Sequence, residues 1–527
     1  MRTSALLCCL LLMAGALLAP ALGWAQFNPQ PDAITRKYFP DPELNIQTPA
    51  FAKADEFTNY QEMMAWIEPL VQQHSKLVKL SYIGQSQKGK QIPMLVLTQP
   101  NGRPKIRVWM QGGLHGDEPA GTETMLYLLQ QLLTDPKLTY LLDELEIGIV
   151  PMANIDGYEK QQRESANGID LNRDQTRLKA PETIALKQAF SAFGPAVALD
   201  FHEYRPFRKD FSRLGMAGIT SRYDAMFLYS GNLNVPAALR AYTADRFVTP
   251  AKAVLNAEQL CNHDYVTTQK YGGQVQFNMG SVHARSSATS YALTNAVSTL
   301  LEIRGVGIGR TSFKRRIKTS YLIALSYLES AYKDRQHLRA VLAEAAKAKQ
   351  PVVVLSKRKT YKDSIDVIDL ATNNAIKMPF VLHNALQSSP TLERQRPMAY
   401  LIGTSATTAI QNLRLLGLQI DSLVSDQTLE VQVYRLGKQP EMSTEDNKPG
   451  DDEEATTGPS EANTLTVNKA FPKGTYIIYE DQPRFNLAAE VLEPENPNGF
   501  VALKVIKLSA DTELPIYRYL KPERISP

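Results

Sequence analysis

Between about residues 55 and 330, short runs of strand character alternate with runs of helical periodicity, and no other feature of the chain constrains its fold as much. LVKLSYIG, IPMLVLTQ, IRVWMQGG, LEIGIVPMAN, AVALDFHEY and STLLEIRGVG have the length and the β-branched or aromatic content of strands. MLYLLQQLL, ETIALKQAF and SYLIALSYLESAY place apolar residues three and four apart, as a helix with one buried face requires. Alternation of the two predicts an α/β domain over about 55–340, with a mixed central sheet flanked by helices and functional loops leaving the strand ends. After that the texture changes to short β-branched runs such as PVVVLS, IDVIDL, LEVQVYRL and GTYIIYE, which predict a smaller β-rich C-terminal domain over 341–527.

At 527 residues, 43% of them hydrophobic, the chain can bury a sizeable core and is long enough for two or three domains. Its 58 basic and 54 acidic residues include no dominant basic run, which excludes the electrostatic footprint of a nucleic-acid binder. The first 25 residues, with Arg2, an apolar stretch and small residues around Gly23 and Ala25, read as a secretory signal, so the expected location is periplasmic or secreted. Residues 26–54 then form a packed N-terminal extension. Loss of Cys8 and Cys9 with the signal leaves Cys261 alone, so no internal disulfide is expected. No later segment is apolar for the roughly 18 residues that a membrane span needs. Within the C-terminal part, EMSTEDNKPGDDEEATTGPSEAN holds eight acidic residues and one lysine, and predicts an acidic disordered loop at about 440–463.

Only seven histidines are present, and one, His115, sits in GGLHGDEPAG between a strand-like and a helix-like run, with Glu118 three positions on. Histidine with a carboxylate makes a pair of zinc ligands, and glycines at a strand end let both converge. A third ligand is expected from His202 in AVALDFHEY, because neighbouring parallel strand ends would bring it beside His115. Arg163, Asn172 and Arg173 lie between the two histidines and suit a cationic, hydrogen-bonding cradle for a substrate anion. Glu302 interrupts an apolar run, as a general base beside a metal would, although a structural pair with Arg304 fits the strand alternation equally.

HGDE, ANIDGYE, RESANGIDLNRD, DFHEY and LLEIRG occur in an order that resembles the zinc metallocarboxypeptidase family, the group that includes carboxypeptidases A, B, N and E. The resemblance implies one Zn2+ held by His115, Glu118 and His202, with Asp170 orienting the first histidine. It implies a zinc-activated water with Glu302 as general base, Arg163 stabilising the oxyanion, and Asn172 with Arg173 gripping a terminal carboxylate. Tyr271 and Tyr291 are the candidates for a tyrosine that caps the substrate. His283 and Arg285 are candidates for a basic side-chain pocket that would favour an acidic residue. The implied member is bacterial and exported, with a C-terminal β-rich extension, and its substrate is a peptide or muropeptide. Ala153 and Asp174 depart from the family pattern without touching the chemistry. An amidohydrolase of related fold and a catalytically silent binding protein are the competing readings; the Asn172 and Arg173 clamp disfavours the first, and Glu302 with Arg163 the second.

Overall fold

The computed structural model describes residues 30–271, 273–436, 462–507 and 513–525. The expected signal at 1–25 and nearly all of the acidic segment at about 440–463 lie outside the described residues.

Eight strands form the central sheet, in the order Val78–Gln85, Gln91–Leu97, Leu145–Val150, Ile106–Gly112, Val197–Tyr204, Val297–Arg304, Ala225–Tyr229, Asn262–Asp264. The middle four run parallel, while pairing toward both edges includes antiparallel steps, so the sheet is mixed. Central parallel strands are covered on both faces, and all eight residues of Val197–Tyr204 are accordingly buried. One face is covered by the helix Pro119–Thr134, which starts with proline at its first position and packs against the helix Phe313–Lys333. The helix Pro181–Phe193 packs against the edge strand Val78–Gln85 and ends on Gly194 in the left-handed conformation.

A long antiparallel hairpin, Val352–Asp369 with Asn374–Arg394, joins a second sheet with strands from before residue 341. Its second strand pairs in parallel with Gln274–Met279, and the end of its first strand pairs with Ile219–Ser221. A third, six-stranded sheet is built from Ala399–Ile402, Asp421–Ser422, Gln427–Leu436, Ala462–Phe471, Tyr476–Tyr479 and Ile516–Tyr519. One apolar cluster, of Ala399, Leu401, Val431, Phe471 and Tyr519, belongs to the six-stranded sheet alone. Another runs from Met63 and Trp109 through Leu126 and Leu301 to Tyr400, Phe485 and Ile516.

Buried polar residues fasten the C-terminal part to the rest. In LAAEVLEPENPNGF, the Glu490 carboxylate accepts from Asn232 (2.9 Å) and Asn234 (2.8 Å), which follow a strand of the central sheet, and from Asn498 (3.3 Å). Burial raises the Glu490 carboxyl above its ordinary range, against the lowering effect of these amide donors. Glu493 accepts from Arg394 and Tyr400, both at 2.7 Å. This segment is an internal joint. At the other end of the chain, buried Arg304 donates to Gln30 and Thr220 and lies over the Phe39 ring, which ties residues 30–39 to the sheet. Among the described residues no helix is long and apolar enough to cross a membrane.

Glu490→Ala would orphan several buried amide donors, each costing about 1–3 kcal/mol. Urea unfolding should show at least that loss; an unchanged midpoint would mean that the asparagine cluster does not join the two regions.

Candidate metal centre and cleft

The site is assembled from the ends of adjacent parallel strands. Gly112 ends its strand, and Gly113 follows with φ +64°, a conformation that few side chains tolerate. The chain then turns back so that His115 and Glu118 face the same point. Gly116 is required by close approach, since a Cβ there would sit 2.1 Å from the Gly157 carbonyl carbon. Glu118 occupies the N-cap position of the helix Pro119–Thr134 but makes no capping bond. Instead, the Ala120 N–H at the helix start donates to Glu203 (3.0 Å), which leaves the Glu118 carboxylate turned to the site.

His115, Glu118 and His202 are all but fully buried and can offer ligand atoms that lie within 4.8 Å of one another. His115 Nδ1 is 2.7 Å from Glu118 Oε1, His202 Nδ1 is 2.8 Å from Glu118 Oε2, and the two Nδ1 atoms are 3.0 Å apart. Behind them, His115 Nε2 meets Asp170 at 3.1 Å and His202 Nε2 lies 2.9 Å from Asp200. A carboxylate on each Nε2 fixes the proton there and leaves the Nδ1 lone pair facing the shared point. Glu118 Oε2 is buried with no hydrogen-bond donor. Two imidazole lone pairs and an orphaned carboxylate oxygen are the donor set of a zinc ion with an open coordination position. Burial works against charge on all of these groups. Even so, Asp200 and Glu118 raise His202 well above its ordinary pKa, and the histidines hold Glu118 well below its own.

Asp170 connects several parts of the cleft. It contacts His115 and accepts from Arg163 Nε (3.1 Å), and its Oδ1 accepts from the Asn172 N–H (2.8 Å), capping the short turn Leu171–Arg173. Burial would raise its pKa, but His115 and Arg163 outweigh burial and hold the carboxyl well below its usual range. Glu302 stands opposite His202 in parallel register, so both side chains leave the same face of neighbouring strands. His115, Arg163, Asn172, Arg173 and Glu302 line one cleft of about 700 Å³, together with His283 and Arg285.

The two candidate tyrosines are placed elsewhere. Tyr291 is buried, stacks on Phe190 at 3.9 Å and donates to Gln111 (3.0 Å), so it is core and cannot reach the cleft. Tyr271 stacks on His383 at 4.1 Å and donates to Asn278 (2.9 Å), outside the cleft lining. The tyrosines that do line it are Tyr204, whose hydroxyl donates to the Tyr223 carbonyl, and Tyr265.

The match to known proteins follows the same residues. Residues 63–204 match the family model described as zinc carboxypeptidase, a stretch that begins before His115 and ends just after His202. Over that stretch the chain is similar to the zinc carboxypeptidase family. It is 27% identical to carboxypeptidase 2 of Trichophyton rubrum over 451 residues, 82% of this chain and 81% of that protein. Carboxypeptidase M of Mus musculus is 31% identical over 169 residues, 28% of this chain and 38% of that protein. A solved metallo-carboxypeptidase from Burkholderia cenocepacia superposes with a TM-score of 0.41 at 18% identity, covering 52% of this chain and 69% of the other. The enzyme is therefore a peptide hydrolase, and the family's single zinc has a matching ligand set in His115, Glu118 and His202.

Two residues that support this site went unnoticed in the sequence. Asp200 precedes His202 by two positions, and that spacing puts both on one face of the strand, a legible signal. Ser287 has no such signal. Its hydroxyl donates to Asp200 (2.5 Å), and its N–H donates to Asn172 Oδ1 (2.9 Å), so it joins the residue behind His202 to Asn172 in the cleft lining. Asp200→Asn should weaken zinc binding about 10- to 100-fold, and Ser287→Ala should weaken it in the same direction by less. Competition against a calibrated chelator reads both; unchanged affinity in Asp200→Asn would show that His202 needs no carboxylate behind it.

Proposed function

We propose that the enzyme is an exported metallocarboxypeptidase that removes the C-terminal residue of peptides, with Glu302 as its general base. The observation that supports this reading is the register pairing of Glu302 with His202 on neighbouring strands, with Glu302 lining the same cleft as His115, Arg163, Asn172 and Arg173.

Zinc, when bound by His115, Glu118 and His202, supplies Lewis-acid polarisation of the scissile carbonyl and acidifies the attacking water. Arg173 receives the substrate's terminal carboxylate in the two-pronged geometry that guanidinium favours, and Asn172 adds an amide donor beside it. This grip selects the last peptide bond. Arg163, steadied by Asp170, supplies positive charge for the oxygen that gains charge as water adds to the carbonyl carbon. Glu302 takes one proton from the water and passes it to the departing nitrogen as the C–N bond breaks, leaving a new carboxylate and a free amino acid. Export rests on the N-terminal sequence, in which Arg2 precedes an apolar run and small residues.

Glu302→Gln should lower kcat by about 10²- to 10⁴-fold while bound zinc stays at the wild-type level. Metal content and initial rates on an N-blocked peptide check this together, and an unchanged kcat would remove Glu302 from the mechanism. Amidation of the same peptide's C-terminus should abolish cleavage; release of internal fragments instead would contradict the roles of Asn172 and Arg173.

A further inference from the structure

The cleft carries more positive charge than the reaction above uses. Arg163 and Arg173 already have roles, yet Arg285, Arg358 and Lys209 line the same space. The acids among the described lining residues are Asp117, Glu203 and Glu302. Asp117 adjoins the ligand Glu118. Glu203 accepts from the Ala120 N–H and from Arg316 (2.7 Å), and Glu302 is the assigned base. No acid among them is left to receive a basic C-terminal side chain.

Arg285 is held next to the carboxylate grip from both sides. Its carbonyl accepts from the Gln175 N–H (3.3 Å), two residues after Arg173, and Ser287, two residues on, donates its N–H to Asn172. The Arg285 side chain is only 3% exposed while it lines the cleft, so a carboxylate reaching it would interact in a poorly screened environment. Arg358 comes from the long hairpin, and its guanidinium lies 3.4 Å from Nε2 of His283, four positions before Ser287. Two guanidinium-bearing residues from different parts of the chain thus line the one cleft.

We propose that the enzyme selects substrates whose C-terminal residue carries a second carboxylate, of the aspartate or glutamate kind, and that Arg285, seconded by Arg358, determines this specificity. The inference rests on the carboxypeptidase reading. Guanidinium suits the task because it stays charged and binds carboxylate through two parallel N–H donors.

The test uses the zinc-loaded full chain and a series of benzoyl-Gly-X substrates in which X is Glu, Gln, Phe or Arg. Glu should exceed Gln in kcat/KM by about 10- to 100-fold, the effect of a charge-assisted contact in place of a neutral one. Arg285→Gln and Arg358→Gln should each bring the Glu to Gln ratio toward one, the former more strongly. Near-ultraviolet circular dichroism checks folding, and if buried Arg285→Gln does not fold, the ratio in Arg358→Gln decides. Wild-type preference for Phe or Arg would overturn the specificity and leave carboxypeptidase activity standing. A Glu preference that survives both substitutions would overturn the assignment to these arginines. No cleavage of any member by zinc-loaded protein would overturn the carboxypeptidase reading as well.

Discussion

Two buried imidazoles face each other across 3.0 Å because a carboxylate stands behind each of them, Asp170 at His115 and Asp200 at His202. Either ring, turned to present a proton instead of a lone pair, would leave Glu118 with no cation to share. The sheet makes this arrangement possible. Parallel pairing places the ends of Ile106–Gly112, Val197–Tyr204 and Val297–Arg304 side by side, and the glycines after the first strand allow the chain to return with two ligands in four residues. Asp170 extends the same control outward, since it also fixes Arg163 and caps the turn that carries Asn172 and Arg173. The three candidate metal ligands and the Arg163, Asn172 and Arg173 side of the cleft are therefore held by one buried network.

That network was legible in the sequence where it is local. Strand and helix alternation gave the mixed sheet, and the histidines at two strand ends gave the ligands, because a strand end fixes position within a residue or two. Glu302 was legible for a similar reason: a charge inside an apolar strand must face something polar. Its partner in the competing reading, Arg304, directs donors to Gln30 and Thr220. Contacts between distant segments left no pattern to read. Ser287 reaches Asp200 and Asn172 across 87 and 115 residues, and Arg358 enters the cleft from a hairpin whose sequence looks like ordinary β structure. Tyr291 failed as a cleft residue because an aromatic near a catalytic strand is as readily a core residue, and stacking on Phe190 made it one.

The C-terminal region is more than an appendage. Its hairpin shares a sheet with Gln274–Met279 and lends Arg358 to the cleft, while Glu490 draws Asn232 and Asn234 into a buried joint. Burying a carboxylate among neutral amides is costly unless every oxygen is served, and several amides serve this one. Such a joint specifies one docking geometry more than it adds stability. Part of the cleft lining thus comes from outside residues 55–340, through Arg358 and Leu370.

X-ray absorption at the zinc edge, combined with metal quantification on the purified chain, tests the central claim most directly. The account requires one zinc per chain, bound only by nitrogen and oxygen at about 2.0–2.2 Å, with two imidazoles in the shell. A sulfur scatterer at about 2.3 Å, a single imidazole, or zinc retained in full by a chain lacking His202 would contradict it.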